Sequence, residues 1–572
     1  MYVTYETNQY YINKDTFTVE RHTEPPKLFP SIIPKSKDPF MPTKLVRVSD
    51  MKVVKGSTVK DEGYCALSYS WSWSGENNIV QGGKSVRVDN GEHQIIFPPK
   101  NVDTPPNSED HDDQEDISSS GEIKYVMFEG IIQQMCKDFN INYIWFDQMC
   151  INQEDKEEKH REIKQMHRVY GNAYCTIVHV PELETEMWSH NMGTYRAIRT
   201  IGLSYSDWMQ RMWTLEEAMI SKQLLFVGKD TYMLGPVAVE WASLGALADK
   251  PSRWNAATVL YFAHSRDCTN AHDRVFALAN LYPHLMDRID VNYKQDLDGL
   301  LLTFYGMMAQ EDLSILCFGE DGEHYKDIEE NIFGQQEKED STISIRKYDL
   351  PSWTGINGQH ELFGGGTSTG LWKTTFKNYS IDGRFMKIHC TPIWSMDNPR
   401  STINIDPFTP IDPHDMPYLP EEKNDSYNSL GINVQFPGCH KPQMILARFH
   451  RPNSEHQESN RTLITKLLAL LSLFMPIDKE KLFWIENRSE LFANGTLTRF
   501  FLSLTEPVDY SAKYAILYGI PFKDDKNSKE RMYPVVRQEG DYYKAIGHCL
   551  ISNIENFFSD YIPSPEQTFI IH

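Results

Sequence analysis

Residues 143–153 read Tyr143-Ile-Trp-Phe-Asp-Gln-Met-Cys-Ile-Asn-Gln153, an apolar run that stops abruptly at polar residues. An earlier run, Cys65-Ala-Leu-Ser-Tyr-Ser-Trp71, has the same form, and both runs predict short buried strands. A third block, Arg211-Met-Trp-Thr-Leu-Glu-Glu217, reads as the first turns of a helix that carries carboxylates. This order of strand, strand and helix start is what an open α/β sheet needs to build a site at its strand ends.

Helix and strand patterns alternate between residues 122 and 180. Asp155 is suited to cap a helix N-terminus, and Ile163, Met166 and Tyr170 then recur at helical spacing before a buried strand. The resulting order of helix, strand, helix and strand predicts an α/β fold, a parallel sheet core with helices on both faces.

Length and charge limit the classes of function. A chain of 572 residues is too long for one core, so we expect two to four domains. The net charge of -22 repels phosphate backbones, which argues against a nucleic-acid partner but allows a small anionic ligand at a local site. The nine cysteines are scattered without a Cys-x-x-Cys pair, which predicts free thiols rather than a disulfide frame or a metal site.

The location predicted from the sequence is cytoplasmic. The N-terminus lacks the basic region and apolar core of a secretory signal. The most apolar run, residues 463–477, is interrupted by Lys466 and Pro476 and is shorter than the roughly 20 residues that span a bilayer. We therefore expect a buried helix there and no membrane span.

Composition predicts five parts along the chain. These are an extended N-terminal segment, an α/β domain with a disordered acidic insertion, a helical extension, an acidic linker, and a β-rich C-terminal domain with a buried helix. The predicted bounds are 1–42, 43–228 with the insertion at 107–121, 229–320, 321–349, and 350–572 with the helix near 462–475. Within the α/β domain, Asn90-Gly91 between two apolar runs predicts a hairpin over residues 86–97.

Two adjacent carboxylates in the third block are the main candidates for chemistry. At about 100° per residue, Glu216 falls inside the apolar arc of the helix and Glu217 at its edge, one turn after Trp213. A carboxylate beside an indole and partly out of water has a raised pKa, which suits a general acid or a group that binds a sugar hydroxyl. The alternative is that one glutamate favours the helix N-terminus through the dipole while the other is solvated.

Polar residues also end the two predicted strands. Asp147 stands at the carboxyl end of its strand, where open α/β sheets bind ligands, or it is a turn aspartate that caps the backbone. The earlier strand ends in Ser68, Tyr69, Ser70 and Trp71. The aromatic rings among these residues either stack on a base or ring of a ligand or belong to the core.

Cys150 is a second kind of candidate, a nucleophile with His160 or His167 as its base. A catalytic thiol needs an adjacent base and a lowered pKa, and the sequence indicates neither. We therefore interpret Cys150 as a buried structural cysteine, and we predict no metal and no resident cofactor.

At the three blocks the chain resembles the fungal heterokaryon-incompatibility (HET) domain family. The family has blocks like residues 64–71, 144–153 and 211–217 in this order, within a core of roughly residues 60–220. Segments like 273–278 and 350–353 often follow the domain. The resemblance implies a role in fungal non-self recognition, where the domain triggers growth arrest or cell death.

HET domains are also remotely similar to Toll/interleukin-1 receptor (TIR) domains, which implies a flavodoxin-like parallel sheet. Some TIR domains hydrolyse NAD, and a Trp-Cys-Leu-x-Glu-Leu segment carries their catalytic glutamate. Trp213-Thr-Leu-Glu-Glu-Ala218 is similar to that segment and places Glu217 on the catalytic position.

Two functions follow as expectations. In the first, the TIR-like domain is an interaction module of innate-immunity-like signalling that self-associates or binds a protein partner, restrained by the C-terminal region. In the second, the domain is an NAD nucleosidase, with NAD as substrate rather than cofactor. Glu217, with Glu216 as runner-up, would then stabilise the oxocarbenium-like state. Asp147, Trp213 and residues 68–71 would line the pocket.

Overall fold

The structure is a computed structural model of the chain. It describes residues 10–12, 19–21, 29–30, 33–34, 40–59, 62–70, 85–88, 93–96, 128–190, 193–198, 203, 206–235, 255–264, 266–319, 348–356, 358–360, 372–395, 404–405, 409–410, 427–435, 443–450, 483–486, 490–493, 499–506, 509, 511–524, 530–552 and 564–572. Unit 1 comprises Met1–Arg253, Ser265–Leu297 and Gly365–Thr369, and unit 2 comprises Trp254–His264, Asp298–Gly364 and Gly370–His572. The five-part division stays a prediction.

The α-helices of the described residues fall mostly in unit 1. They are α1 (Phe128–Asp138), α2 (Asp147–Cys150), α3 (Lys156–Ile163), α4 (Met166–Asn172), α5 (Asp207–Gln210), α6 (Met212–Ile220), α7 (Ala256–His264), α8 (Asp273–Asn280), α9 (Pro283–Met286) and α10 (Leu297–Glu311).

Unit 1 is built on a nine-stranded sheet in the order β2-β1-β13-β12-β9-β5-β8-β3-β4. The strands of this unit are β1 (Tyr10–Ile12), β2 (Val19–Arg21), β3 (Lys44–Arg47), β4 (Lys52–Lys55), β5 (Cys65–Ser68), β6 (Ser85–Val88), β7 (His93–Ile96), β8 (Tyr143–Trp145), β9 (Thr176–His179), β10 (Thr185–His190), β11 (Gly193–Ile198), β12 (Leu224–Val227) and β13 (Thr231–Leu234). β6 pairs with β7 and β10 with β11 as separate antiparallel hairpins.

Four parallel strands form the centre of this sheet. β8, β5, β9 and β12 are neighbours in that order, and each pair is parallel. Numbered along the chain, the order is 2-1-3-4, which is how flavodoxin-like sheets begin. With right-handed crossovers, α1 covers one face, and α4 and α6, which pack against each other, cover the opposite face. The predicted α/β fold with helices on both faces is confirmed.

Burial explains why these short runs form strands. Every residue of β5, β9 and β12 is buried, as expected for parallel strands that helices cover on both sides. On α1, Ile131, Ile132, Met135 and Cys136 share a buried face at helical spacing.

Local predictions meet mixed outcomes. The hairpin is confirmed, because β6 and β7 pair antiparallel with Val88 opposite His93. Asp155 caps α3 by accepting hydrogen bonds from the backbone N–H groups of Glu157 and Glu158, both at 3.0 Å. The single helix expected to follow Asp155 is wrong, since α3 ends at Ile163 and α4 begins at Met166. The predicted disordered insertion, residues 107–121, lies outside the described residues.

Unit 2 is dominated by one sheet of 16 strands. Its strands, together with the small pair of β14 and β15, are β14 (Phe318–Gly319), β15 (Gln359–His360), β16 (Trp372–Lys373), β17 (Tyr379–Asp382), β18 (Phe385–Cys390), β19 (Ile393–Trp394), β20 (Asn404–Ile405), β21 (Thr409–Pro410), β22 (Tyr427–Gln435), β23 (Gln443–His450), β24 (Phe483–Glu486), β25 (Glu490–Ala493), β26 (Arg499–Leu504), β27 (Tyr514–Ile516), β28 (Phe522–Asp524), β29 (Glu530–Glu539), β30 (Tyr542–Ser552) and β31 (Gln567–Ile571). In β30, Gly547 has φ 145°, and a Cβ there would collide with the backbone of Ser503. The predicted β-rich C-terminal region is confirmed.

Two composition-based predictions concern membranes and thiols. Within the described ranges, no helix has the length and apolar character needed to cross a membrane. The predicted buried helix at 462–475 is not among those ranges. All eight described cysteines are free, as predicted, and seven of them are buried.

Candidate functional site

The strand order of unit 1 reverses between β5 and β9. From β5 the chain continues to β8 on one side, whereas β9 and β12 follow on the other. Open α/β sheets bind ligands outside the carboxyl ends of their strands at such a switch point. Ser68 ends β5 and His179 ends β9, so both residues lie there.

Glu217 lies on α6 and is 5% exposed. Burial raises the pKa of its carboxyl to about 8. Hydrogen bonding with Ser68 and Tyr170 opposes this rise, and the negative charge of Asp147 adds to it. Within the described residues, Oε2 of Glu217 has no hydrogen-bond partner. The group is therefore mostly protonated at neutral pH, which agrees with the raised pKa expected from the sequence.

Ser68 links Glu217 to a buried indole. The Nε1–H of Trp208 donates to Oγ of Ser68 at 2.6 Å. Ser68 and Trp208 are both completely buried, and hydrogen bonding with Ser68 lowers the pKa of Glu217. A serine that accepts from an indole keeps its own proton available for a carboxylate. Trp208 was not predicted, although a tryptophan just before a candidate helix is a signal that could have been weighed.

Glu216 is fully buried beside Glu217. Among the described residues neither of its carboxyl oxygens makes a hydrogen bond of good geometry, although Asn280 is near enough to oppose the rise of its pKa. Burial and the charge of Glu217 raise the pKa of Glu216 well above its usual range. The alternative that one glutamate is solvated is therefore wrong, because α6 is enclosed on nearly every side. The structure presents two adjacent carboxyls that are both shielded from water.

The contacts of Asp147 agree with the interpretation as a turn aspartate, whereas its role in ligand binding stays a prediction. Its Oδ1 accepts from the backbone N–H of Gln148 at 2.8 Å, as a turn aspartate does. The same oxygen accepts from the hydroxyl of Tyr69 at 2.7 Å, which ties the carboxyl ends of β5 and β8 together. The ring of Tyr69 is 5% exposed and packs on Phe128 with ring centroids 4.7 Å apart. Tyr69 thus belongs to the core while its hydroxyl faces the site.

The other sequence candidates divide into three outcomes. Ser70 is buried, and Trp71 lies outside the described residues. The indole of Trp213 hydrogen-bonds to Asp273, so its stacking on Glu217 stays a prediction. Cys150 is buried, and burial raises the pKa of its thiol to about 12, which agrees with a structural cysteine.

His179 was missed by the sequence interpretation. It is completely buried, and in the part of the chain that the structure describes neither ring nitrogen has a hydrogen-bond partner. Burial lowers the pKa of its imidazole to about 4, so the ring is neutral at physiological pH. Its ring centroid lies 6.3 Å from that of Phe128. The rule that selected Asp147, a polar residue at the carboxyl end of a strand, would also have selected His179.

Arg266 was also missed. It is 1% exposed, and its Nη1 donates to the carbonyl of Arg211 at 2.8 Å and to Oγ1 of Thr214 at 2.7 Å. Burial lowers the pKa of its guanidinium to about 9, and the charge of Glu217 opposes that change. Its partners are mostly backbone carbonyls far away in sequence, so no sequence motif predicts the role of this residue.

The arrangement supports acid–base or cation-stabilising chemistry. A carboxyl with a pKa near 8 can donate a proton at neutral pH and, once ionised, can stabilise a developing positive charge. Across the described ranges, no group of three or more His, Cys, Asp or Glu side chains is placed to hold a metal ion.

Residues 64–200 match the family model described as Heterokaryon incompatibility protein (HET). The chain carries a HET domain. The match contains the first two sequence blocks, so the predicted resemblance is confirmed for this region. It ends before the third block, so the resemblance of residues 211–217 stays a prediction, and Glu217 and Arg266 lie outside the matched HET residues. Comparison with curated proteins and with solved structures gave no match.

Proposed function

We propose that this HET-domain chain acts in fungal non-self recognition and programmed cell death, and that its TIR-like α/β domain works as a protein-interaction module. The HET match over residues 64–200 is the observation that carries the proposal. The parallel strand order 2-1-3-4 supports the likeness to TIR domains, because flavodoxin-like sheets begin with that order.

The edge strand β4 is a candidate surface for association. Edge strands present unpaired backbone groups that can pair with another chain. Val53 on this strand is 42% exposed and stands between Lys52 and Lys55. An apolar centre flanked by positive charge fits a partner with acidic side chains, and the chain itself carries a net charge of -22. These features favour self-association through β4.

The test is inducible expression in a filamentous fungus together with light scattering of the purified chain. Val53→Asp should abolish association and growth arrest, because it places a carboxylate where apolar contact is needed. Met187→Asp is the matched control, since Met187 is 58% exposed on the separate β10–β11 hairpin. Growth arrest that persists in Val53→Asp at wild-type strength would overturn the proposed surface.

A second candidate function is hydrolysis of NAD at Glu217. The observation that favours it is a buried carboxyl with a pKa near 8 and an unpartnered oxygen, close to Ser68 at the switch point. In this reaction the bond between C1′ of the ribose and the nicotinamide nitrogen breaks, and the electron pair leaves with nicotinamide. Water adds to C1′ and releases a proton, which gives ADP-ribose. Ionised Glu217 would stabilise the oxocarbenium-like state between these events.

Nicotinamide release by concentrated wild-type protein tests this second function. Glu217→Gln should remove the release, because an amide cannot carry the negative charge. Glu154→Gln is the control, since Glu154 is an exposed glutamate of the same unit. Full NAD cleavage by folded Glu217→Gln would eliminate the enzymatic candidate, and the interaction module would stand alone.

A further inference from the structure

The junction between α5 and α6 is held by a residue that lies far along the chain. The guanidinium of Arg266 donates from Nη1 to the carbonyls of Trp208 and Arg211, at 3.4 and 2.8 Å. The same nitrogen donates to Oγ1 of Thr214 at 2.7 Å. The hydroxyl of Thr214 donates to the same two carbonyls, at 2.5 and 2.8 Å, so Arg266 and Thr214 together hold the junction between the end of α5 and the start of α6.

Backbone hydrogen bonds next to Arg266 also hold the junction between α5 and α6. The N–H of Asp267 donates to the carbonyl of Gln210 at 2.5 Å, and the N–H of Met212 donates to the carbonyl of Asp267 at 2.9 Å. Arg274 in turn donates from Nη2 to the carbonyl of Arg266 at 2.9 Å. Residues 266–267 are therefore joined to both sides of the point where α6 begins.

We propose that Arg266 is a positioning residue for Glu217, which fixes the first turns of α6 and sets the charge that the Glu217 carboxyl experiences. The inference rests on the proposed function of Glu217 and extends it to a segment beyond the matched HET residues. A merely structural arginine would anchor the helix without changing how Glu217 ionises.

The electrostatic part of the inference follows from burial. Arg266 is 1% exposed, lies over the ring of Trp208 with its Cζ 5.6 Å from the centroid, and interacts electrostatically with Glu217. Charges shielded from water interact more strongly than surface charges. The other titratable or charged groups that act on or respond to Glu217 are Tyr69, Asp147, Tyr170, Arg211 and Glu216.

The experiment measures ionisation of Glu217 directly in the full chain. Infrared difference spectra between wild type and Glu217→Gln, titrated between about pH 5 and pH 10, isolate the Glu217 carboxyl stretch. In Arg266→Gln the midpoint should move upward, because the ionised carboxyl loses the attraction of a buried positive charge. Arg288→Gln, which removes an exposed arginine of the same unit, should leave the midpoint unchanged.

Thr214 supplies a second variant in case Arg266→Gln does not fold. Thr214→Val keeps the guanidinium charge but removes the hydroxyl, which accepts from Nη1 and donates to the carbonyls of Trp208 and Arg211. Because the guanidinium is then held less firmly at the start of α6, the midpoint should also move upward. Thr214→Ser keeps the hydroxyl and should titrate as wild type. An unchanged midpoint in folded Arg266→Gln, or in Thr214→Val when Arg266→Gln does not fold, would overturn the inference.

Nicotinamide release measured on the same samples separates this inference from the enzymatic proposal. If the Glu217 midpoint shifts in Arg266→Gln but the wild type releases no nicotinamide, the role of Arg266 is supported and NAD hydrolysis is refuted. If the wild type releases nicotinamide but the Glu217 midpoint is the same in Arg266→Gln, the role of Arg266 is refuted and the NAD proposal stays in place.

Discussion

Replacing Glu217 with glutamine should stabilise unit 1 at alkaline pH and have little effect at acidic pH. Below its usual pKa of 4.5 the carboxyl is protonated in the folded and the unfolded chain, and glutamine is a close neutral substitute. Between 4.5 and about 8 the unfolded chain releases the proton while the folded chain retains it. The wild type therefore loses stability as the pH rises through this window, and Glu217→Gln does not.

The magnitude follows from the size of the pKa shift. A rise from 4.5 to about 8 corresponds to on the order of 5 kcal/mol when the whole window is crossed, at about 1.4 kcal/mol per unit. Between pH 5 and pH 8 the advantage of Glu217→Gln should grow by on the order of 3 kcal/mol. Glu216 is present in both proteins, but the charge of Glu217 raises its pKa, so removing that charge adds to the advantage of Glu217→Gln at alkaline pH.

Hydrogen exchange is the suitable assay because it reports on unit 1 separately. Peptides that cover β8 and β9 should gain protection in Glu217→Gln relative to wild type as the pH rises, after correction for intrinsic exchange. Glu154→Gln, which changes an exposed carboxylate, should show no such trend. A stability difference that stays constant across this pH range would refute a carboxyl held protonated by burial.

Three further predictions concern the same site. If NAD is cleaved with ionised Glu217, kcat/KM should rise with pH and level off above about 8, whereas a flat profile would exclude that role. Tyr69→Phe should cost about 1–2 kcal/mol in urea unfolding, since it removes the 2.7 Å hydrogen bond to Asp147, and a neutral result would contradict that bond. Cys150→Ala should retain wild-type growth arrest and NAD cleavage, because a thiol with a pKa of about 12 supplies no thiolate, and loss of either activity would contradict its structural assignment.

The part of the fold that depends on the order of apolar runs and helical periodicity along the chain was predictable. The apolar runs ending at Ser68 and Trp145 are buried strands, and helices recur between them, so the parallel core follows from the order of elements. The break between α3 and α4 was not predictable, because Ile163 and Met166 keep helical spacing across it. Periodicity records which face is buried and does not record a local change of helix axis.

Only the part of the site that lies on one helix was predictable from the sequence. Glu216 and Glu217 could be assigned to the inner side of a helix because their spacing from apolar neighbours is fixed. The bond from Trp208 to Ser68 and the bonds from Arg266 to carbonyls join residues that only the tertiary fold brings together. Carbonyl acceptors carry no side-chain identity, so a sequence gives no sign of an arginine that will bind them.

The long connection from Ser68 to Phe128 leaves the sheet at the carboxyl edge and returns at the start of α1. The entropy of closing a loop grows only with the logarithm of its length, so extra residues at this position cost the parallel sheet little. Residues inserted there begin beside the strand end that faces Glu217. Mutation and selection can therefore lengthen or exchange this one connection, which starts beside the carboxyl, while the strand order and the buried helices remain as they are.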